Sequence, residues 1–462
     1  MFKRHIQDLL LFTKAIHATE ACQAHFLKNI EGVSIDSRTL QKGNLFVPIV
    51  RIDDGHNYVR RAFENGAAAS LWQEDHGAPP EDLPIIIVKD TLAALQNMAR
   101  EYRNQLNCKV VAVTGSNGKT TVKDMVTSIL STTCKVQKTR GNLNGEYGLP
   151  LTILELDEDT EVAVLEAGMS HVGEIKALSE IARPDIGIIT MIGVSHLSNL
   201  GSREAIALAK LELLHGMNQH GVLLINGDEP LLTGALPELE FPETITVKTF
   251  GEMASNYYFS SNIAKTPNGL SFEVNTYDGA FFMPLLGSHN VWNALAAIAA
   301  ADCFGVSGES VKKGLANLEI SKMRMERIVG SGGFLIINDA WNASPVSMKA
   351  AIDTVAKLEG YSKKVLVLGD MLELGNEEMA FHEEIAECID TSKLHSVFTF
   401  GRLSKVISDS VNSASLKGEA KHFTSKEELA SECRRILTSD DVVLLKGSRG
   451  MKLEEVCDLL KI

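Results

Sequence analysis

Between residues 109 and 133 the chain changes its hydrophobic period. Val110–Val113 is an unbroken apolar run, the pattern of a strand buried on both faces, and it stops at a turn running Gly115, Ser116, Asn117, Gly118, Lys119, Thr120, Thr121. Beyond the turn, Val122, Met125, Val126, Ile129 and Leu130 recur at the spacing of one helix face. Strand, glycine turn and helix together make a phosphate site. The glycines let backbone N–H groups close around oxygens, and the helix N-terminus adds partial positive charge. Lys119 would reach the β- and γ-phosphates of a nucleotide, and the Thr120 hydroxyl would hold Mg²⁺. The spacing, TGxxGKTT, is shorter than the usual P-loop, with Val113 standing where that loop has its first glycine. An ordinary glycine turn is the alternative; agreement of turn and flanking elements favours the phosphate site.

The same alternation organises the rest. Residues 1–105 read as a small mixed α/β unit, with a turn and strand over Gly43–Pro48, a helix over Tyr58–Gly66, a strand at Ile85–Val88 and a helix from Thr91. Residues 106–318 carry the glycine turn. Strands are predicted over Glu161–Glu166, Asp185–Gly193 and Val222–Ile225, with a helix from Glu204 to about His215 and an antiparallel patch over 240–286. Residues 319–462 alternate strands (334–337, 365–368, 397–400, 442–445) with helices (347–358, 377–389, 426–437, 451–460), a doubly wound parallel sheet without GxGxxG. The fold class is therefore α/β in three domains: a small mixed unit, a central P-loop parallel sheet and a C-terminal Rossmann-like domain.

A length of 462 residues accommodates three such domains, and 45% hydrophobic content supplies their cores. A net charge of −14 argues against nucleic acid and anionic membrane surfaces as partners. Seven dispersed cysteines without a CxxC pair read as reduced thiols of a cytoplasmic protein. The N-terminus is no secretory signal, and no apolar stretch is long enough to span a bilayer.

Ligands of open parallel sheets sit beyond the carboxyl ends of strands. Thr120, Glu166 and His196 should therefore share one edge, with Glu166 and His196 either as Mg²⁺-site groups or as a capped strand end and a satisfied loop histidine. Lys210 lies among Ile206, Ala207, Leu213 and Leu214 with no carboxylate one turn away. On the residues alone it is a core-edge lysine that snorkels; the alternative is a buried, neutral amine able to form a carbamate with CO₂. Asn290, at the start of an Ala-rich helix, reads as an N-cap. Asp36-Ser37-Arg38 can offer a hydroxyl and a guanidinium fork to phosphate, although surface Asp–Arg pairs are common.

In order, the chain carries DSR at 36–38, FVPI at 46–49, DGH at 54–56, TGSNGKTT at 114–121 and GNLNGEYGLPLTIL at 141–154. EAGMSHVGEI at 166–175, NLGSREAIALAKLEL at 199–213, HNVWNALAA at 289–297, RMER at 324–327, NDAWNASPVSMKAAI at 338–352 and KGSRGMKLEE at 446–455 follow. This series resembles the Mur ligase family over nearly the whole chain. The resemblance implies a monomeric, ATP-dependent amide ligase of bacterial cell-wall peptidoglycan synthesis that joins D-Ala-D-Ala to UDP-MurNAc-tripeptide through an acyl phosphate. It implies UDP recognition by Ser37 and Arg38, and a nucleotide loop from Gly115 to Thr121 with Asn290, Arg324 and Asp339 also contacting ATP. Two Mg²⁺ ions would be held by Thr120, Glu166, His196 and a carbamylated Lys210. Asn142 and Asn144 would lie on the tripeptide side and Asn342 on the dipeptide side. Lys119, Lys210 and His196 would be catalytic. Folylpolyglutamate synthase, a relative with the same chemistry, lacks the DSR unit and the GNLNGEYG loop, and the retained Lys119, Glu166, His196 and Lys210 argue against a nucleotide-binding scaffold. Trp341 stands where the family commonly has tyrosine, Gly145 and Tyr147 where it has asparagine and isoleucine, and Met191 where it has asparagine. Val50-Arg51-Ile52 lacks a glycine often seen after FVPI.

Overall fold

The computed structural model describes residues 2–194, 197–266, 268–413 and 419–462. Its centre is a nine-stranded sheet. The strand before the glycine turn, Lys109–Thr114, lies between Val162–Glu166 and Ile186–Ile189, parallel to both. All six of its residues except Lys109 are buried, as the unbroken apolar run requires. The helix Lys119–Leu130 then packs Val122, Met125, Val126, Ile129 and Leu130 onto the sheet. Asp185–Gly193 proves shorter than expected, its strand ending at Ile189; the rest leaves the ladder to pass the glycine turn.

The helix expected from Glu204 to about His215 is capped by the Ser202 hydroxyl, which accepts the Ala205 N–H at 3.1 Å, and it ends at Leu211. A tighter 3₁₀ turn, Glu212–Gly216, follows. Gly216 ends that turn against backbone: a Cβ there would lie 2.1 Å from the carbonyl carbon of Ser179 on the neighbouring helix Glu174–Ala182. The antiparallel patch expected over residues 240–286 is present and continues the central sheet. Thr246–Gly251 and the start of Tyr258–Thr266 extend the sheet in parallel, and Tyr258–Thr266, Gly269–Val274 and Phe281–Met283 then pair antiparallel in succession. Phe250, Tyr258, Phe272 and Phe281 share the core under the Ala-rich helix His289–Cys303, so these strands serve the central fold. Asn290 is not an N-cap: Ser288 precedes the helix, and Asn290 sits inside the first turn with its Nδ2 donating to Leu286 O at 2.7 Å.

The N-terminal residues build a five-stranded sheet and a two-stranded one. The capped helix Thr91–Gln105 carries this unit onto the central one, where the Tyr102 hydroxyl donates to Leu156 O at 2.8 Å. One hydrophobic core runs from Phe2 to Ile245 beneath both. The last unit is a six-stranded sheet with one antiparallel edge, Glu326–Val329. That edge, the strand Glu419–Phe423 and the helix Lys405–Ser413 were not anticipated; their half-exposed or polar segments lack the apolar runs of the inner strands. No helix among the described residues is long and apolar enough to cross a membrane, and all seven cysteines are free.

Gly216→Ala should lower stability by about 1–3 kcal/mol, the cost of forcing side-chain atoms into packed backbone. It would be read as a lower urea midpoint at unchanged slope; an unaltered midpoint would contradict the close approach.

Candidate active site

The parallel register sets Glu166 opposite Val113, immediately before the glycine turn. Glu166 is buried, its backbone N–H donating to Thr139 Oγ1 at 3.0 Å. One carboxylate oxygen, Oε2, accepts from the Thr120 hydroxyl at 3.0 Å, and Oε1 accepts from Asn144 Nδ2 at 2.8 Å. Arg324, from the C-terminal unit, donates through Nη2 to the same Thr120 oxygen at 3.2 Å. It is flanked by Met323 and Met325 at φ 60° and 53°, conformations that cost on the order of 1–3 kcal/mol each.

Two glycines are required by space as well as φ. A Cβ on Gly115 (φ +139°) would lie 2.0 Å from Thr190 Oγ1, and one on Gly118 (φ +85°) 2.5 Å from Asn293 Oδ1. Lys119 folds back on the turn, its Nζ donating to Gly115 O at 2.7 Å and Ser116 O at 3.4 Å. Burial lowers its pKa, against the pull of Glu166. The amide Nδ2 of Asn117 is buried and has no partner among the described residues, an unanswered donor beside the turn.

Lys210 does not snorkel: it is 1% exposed. Burial, and then the positive charge of Lys119, push its pKa well below the usual lysine value, although Glu174 and Glu212 pull the other way. The amine is therefore biased toward its neutral form. His196 lies outside the described residues.

A cavity of about 340 Å³ opens beside the turn, between the central and C-terminal units. Asn117, Thr121, Asn290, Arg324, Asp339 and Asn342 line it, so Asn342 faces the same space as the nucleotide candidates. Asp339 accepts from Lys446 Nζ at 2.5 Å and from the Met325 N–H at 3.2 Å. Asn142 is exposed on the loop that brings in Asn144.

The Mur ligase middle domain family model matches residues 113–301, and that of the Mur ligase, glutamate ligase domain matches 323–449. The chain is 45% identical to the UDP-N-acetylmuramoyl-tripeptide--D-alanyl-D-alanine ligase of Bacillus subtilis, over 99% of this chain and 98% of that one. The chain belongs to the Mur ligase family. Among solved structures, UDP-N-acetylmuramoylalanyl-D-glutamyl-2,6-diaminopimelate--D-alanyl-D-alanyl ligase from Acinetobacter baumannii aligns with a TM-score of 0.84 at 28% identity, covering 100% and 99% of the two chains. MurF ligase from Thermotoga maritima in complex with ADP aligns with a TM-score of 0.79 at 28% identity, covering 93% and 97%.

In this Mur ligase the positions that depart from the family pattern keep structural roles around the turn. The main-chain oxygen of Met191 accepts the Ser116 N–H at 2.9 Å, a contact indifferent to the side chain. Trp341 lies under two guanidinium groups, Arg324 at 5.8 Å and Arg449 at 5.0 Å from its ring centre, and so supports the arginine that reaches Thr120.

Two further residues escaped the sequence reading. Lys123 is fully buried in the helix after the turn, its Nζ 3.7 Å from Glu166 Oε2 and without a hydrogen bond among the described residues. Asp124, next to it, accepts from Lys138 Nζ at 2.7 Å and from the Ser321 N–H at 2.9 Å, tying the helix to the segment that enters the C-terminal unit. The available signal was a Lys-Asp pair interrupting an apolar stretch.

A second cavity, of about 500 Å³, lies in the N-terminal unit and is lined by Asp36, Ser37, Arg38, Arg51, Tyr58 and Arg61 among others. Arg38 forks onto Asp36 with bonds of 2.9 and 2.7 Å. Nearby, Asp54, His56 and His76 cluster within 4.8 Å. His56 Nε2 accepts the Gln73 N–H at 3.1 Å, which leaves the proton on Nδ1 facing Asp54 at 2.7 Å. That tautomer suits a hydrogen-bonded pair and not a metal ligand.

The Arg38 hydrogen bonds hold the Asp36 carboxyl down at about 2. The folded value lies below the unfolded one, so the stabilisation is present above about pH 4 and is lost as pH falls through about 2. In a carbon-13 titration of aspartate carboxyls, Arg38→Met should return the Asp36 midpoint toward 3.8; no movement would dissolve the proposed pairing.

Proposed function

We propose that this Mur ligase is an ATP-dependent amide ligase that joins D-Ala-D-Ala to UDP-MurNAc-tripeptide, giving UDP-MurNAc-pentapeptide, ADP and phosphate in peptidoglycan precursor synthesis. One observation carries the reading: Thr120, Glu166 and Arg324 are joined by hydrogen bonds although they come from a turn, a strand end and a separate unit, and Arg324 also lines the cavity beside the turn that holds Lys119. The full-length similarity to the Bacillus subtilis ligase supports the same substrates. We assign residues 1–105 to the UDP substrate, 106–318 to ATP and 319–462 to closure over both.

In the first step an oxygen of the tripeptide's terminal carboxylate attacks the γ-phosphorus of ATP. The new O–P bond forms as the bond to the β-phosphate oxygen breaks, and ADP leaves. In the second step the dipeptide amine attacks the acyl carbon, the C–N bond forms, the acyl C–O bond breaks, and the departing phosphate takes up the proton the amine loses. Negative charge grows first on phosphoryl oxygens and then on a tetrahedral oxyanion, so positioning and electrostatics dominate. Lys119 would exchange its contacts with Gly115 and Ser116 for phosphate oxygens. Arg324 would hold the same charge from the C-terminal side, and Asn117 Nδ2 would find its missing acceptor. The N-terminus of Lys119–Leu130 adds its dipole. Asp339 keeps Lys446 at the cavity wall near Asn342.

The hydroxyl of Thr120 and the buried carboxylate of Glu166, 3.0 Å apart, are the hard oxygen donors that Mg²⁺ prefers. When bound, the two ions expected here would neutralise phosphoryl charge. His196 and Lys210 would complete the set, Lys210 as its carbamate. That modification joins the neutral Nζ to CO₂ with loss of a proton, and turns an amine whose charged form Lys119 disfavours into an anion attracted to Lys119.

Lys119→Ala should abolish phosphate release dependent on both UDP-MurNAc-tripeptide and D-Ala-D-Ala, a loss of at least ~10²–10³-fold with the circular dichroism spectrum unchanged. Near-normal release would reject the loop assignment, and wild-type release without either substrate would reject the ligase reading. Lys210→Ala should likewise lose activity and regain part of it with added acetate. A folded variant that no short carboxylate rescues would count against the carbamate.

A further inference from the structure

A contact links the wall of the N-terminal cavity to the loop that holds Glu166. Arg51 lines the cavity, and its guanidinium carbon sits 3.7 Å from the centre of the Tyr147 ring. Tyr147 is three residues from Asn144, whose amide holds Glu166. The loop is also anchored by Gln96, which donates to Glu146 O at 3.0 Å. The pair thus stands where the wall of the N-terminal cavity meets the loop that reaches Glu166.

Arg51 is placed to bind something. Arg38, on the same cavity wall, already has its fork filled by Asp36. The side chain of Arg51 makes no hydrogen bond or ion pair among the described residues; only the Tyr147 ring holds it, face on. A stacked guanidinium keeps its in-plane N–H donors free and pre-oriented, the geometry that takes a carboxylate with two parallel bonds.

The inference rests on the ligase reading above. The Acinetobacter baumannii relative is named for a substrate whose peptide is alanyl-D-glutamyl-2,6-diaminopimelate. A glutamyl residue joined into the chain through one carboxyl keeps a second one free. It is the middle residue of the arm, so that free carboxylate falls between the UDP end and the reacting end. We propose that Arg51, held flat by Tyr147, is a substrate-binding residue that takes the free carboxylate of the D-glutamyl residue.

The test compares two acceptors with the full-length enzyme: UDP-MurNAc-tripeptide, prepared with both lysine and diaminopimelate as its last residue and used in the form wild type turns over, and the same molecule with the D-glutamyl carboxylate converted to its amide. With the acid form, Arg51→Ala should raise KM for the tripeptide about 10–100-fold, the worth of a charge-assisted pair, while KM for ATP stays within about threefold. Tyr147→Leu should give a smaller rise, about 2–5-fold, and Tyr147→Phe almost none. Arg51→Lys should fall between wild type and Arg51→Ala because it keeps charge but not the fork. With the amide form, wild type should show the raised KM, and Arg51→Ala should add less than about threefold to it. If the two penalties multiply independently, Arg51 is only a latch between loop and helix, and the proposal is overturned. Absence of wild-type turnover with the acid form would overturn the ligase reading itself, and this assignment with it.

Discussion

The central sheet is built around an excess of positive charge in a place with little water. Lys123 and Lys210 are fully enclosed, and Lys119 and Arg324 are partly so. The buried carboxylates that face them are Glu166 and Asp124, and Asp124 is already engaged by Lys138 and the Ser321 N–H. An ammonium buried without compensation costs roughly 3–5 kcal/mol. The protein limits that cost by driving lysine pKa values down and by folding Lys119 onto carbonyl oxygens of its own turn. A polyphosphate would answer the surplus directly, which makes nucleotide binding an electrostatic completion of the fold.

That constraint explains how distant segments come to share the site. Arg324 crosses from the C-terminal unit to the Thr120 hydroxyl, and Ser344 Oγ donates to Asn117 Oδ1 at 3.2 Å, so the turn is held from both sides. The link through Asp124 to Ser321 ties the helix behind the turn to the start of the C-terminal unit. On the opposite side, one continuous core fuses the N-terminal unit, with its cavity, to the central sheet. The arrangement suits a long substrate gripped at one end and activated at the other.

Departures from the family pattern do not weaken this frame. Met191 contributes through its main chain, and Trp341 replaces one aromatic ring by another beneath two guanidinium groups. Tyr147 and the short Val50–Ile52 segment are two separate oddities along the chain, yet in space they form a single contact, Arg51 on Tyr147. A residue pair of this kind has meaning only when both partners are seen together.

Local pattern was enough for the phosphate turn, its strand and helix, and the inner strands of both large sheets, because each is specified by burial of contiguous residues and by backbone freedom at two glycines. Half-exposed edge strands and the polar helix Lys405–Ser413 carry no such periodic signature. Asn290 looked like a cap because caps and buried amides share a residue type, and only the helix start at His289 separates them. For Lys210 the residues alone could not choose between a snorkelled and an enclosed amine; that depends on what covers the helix from elsewhere. Lys123, Asp124 and Arg51 were likewise invisible as site residues. The chain by itself determined which groups could carry charge, but only packing across units decided which charges face one another, since Coulomb energies depend on distances that sequence separation does not encode.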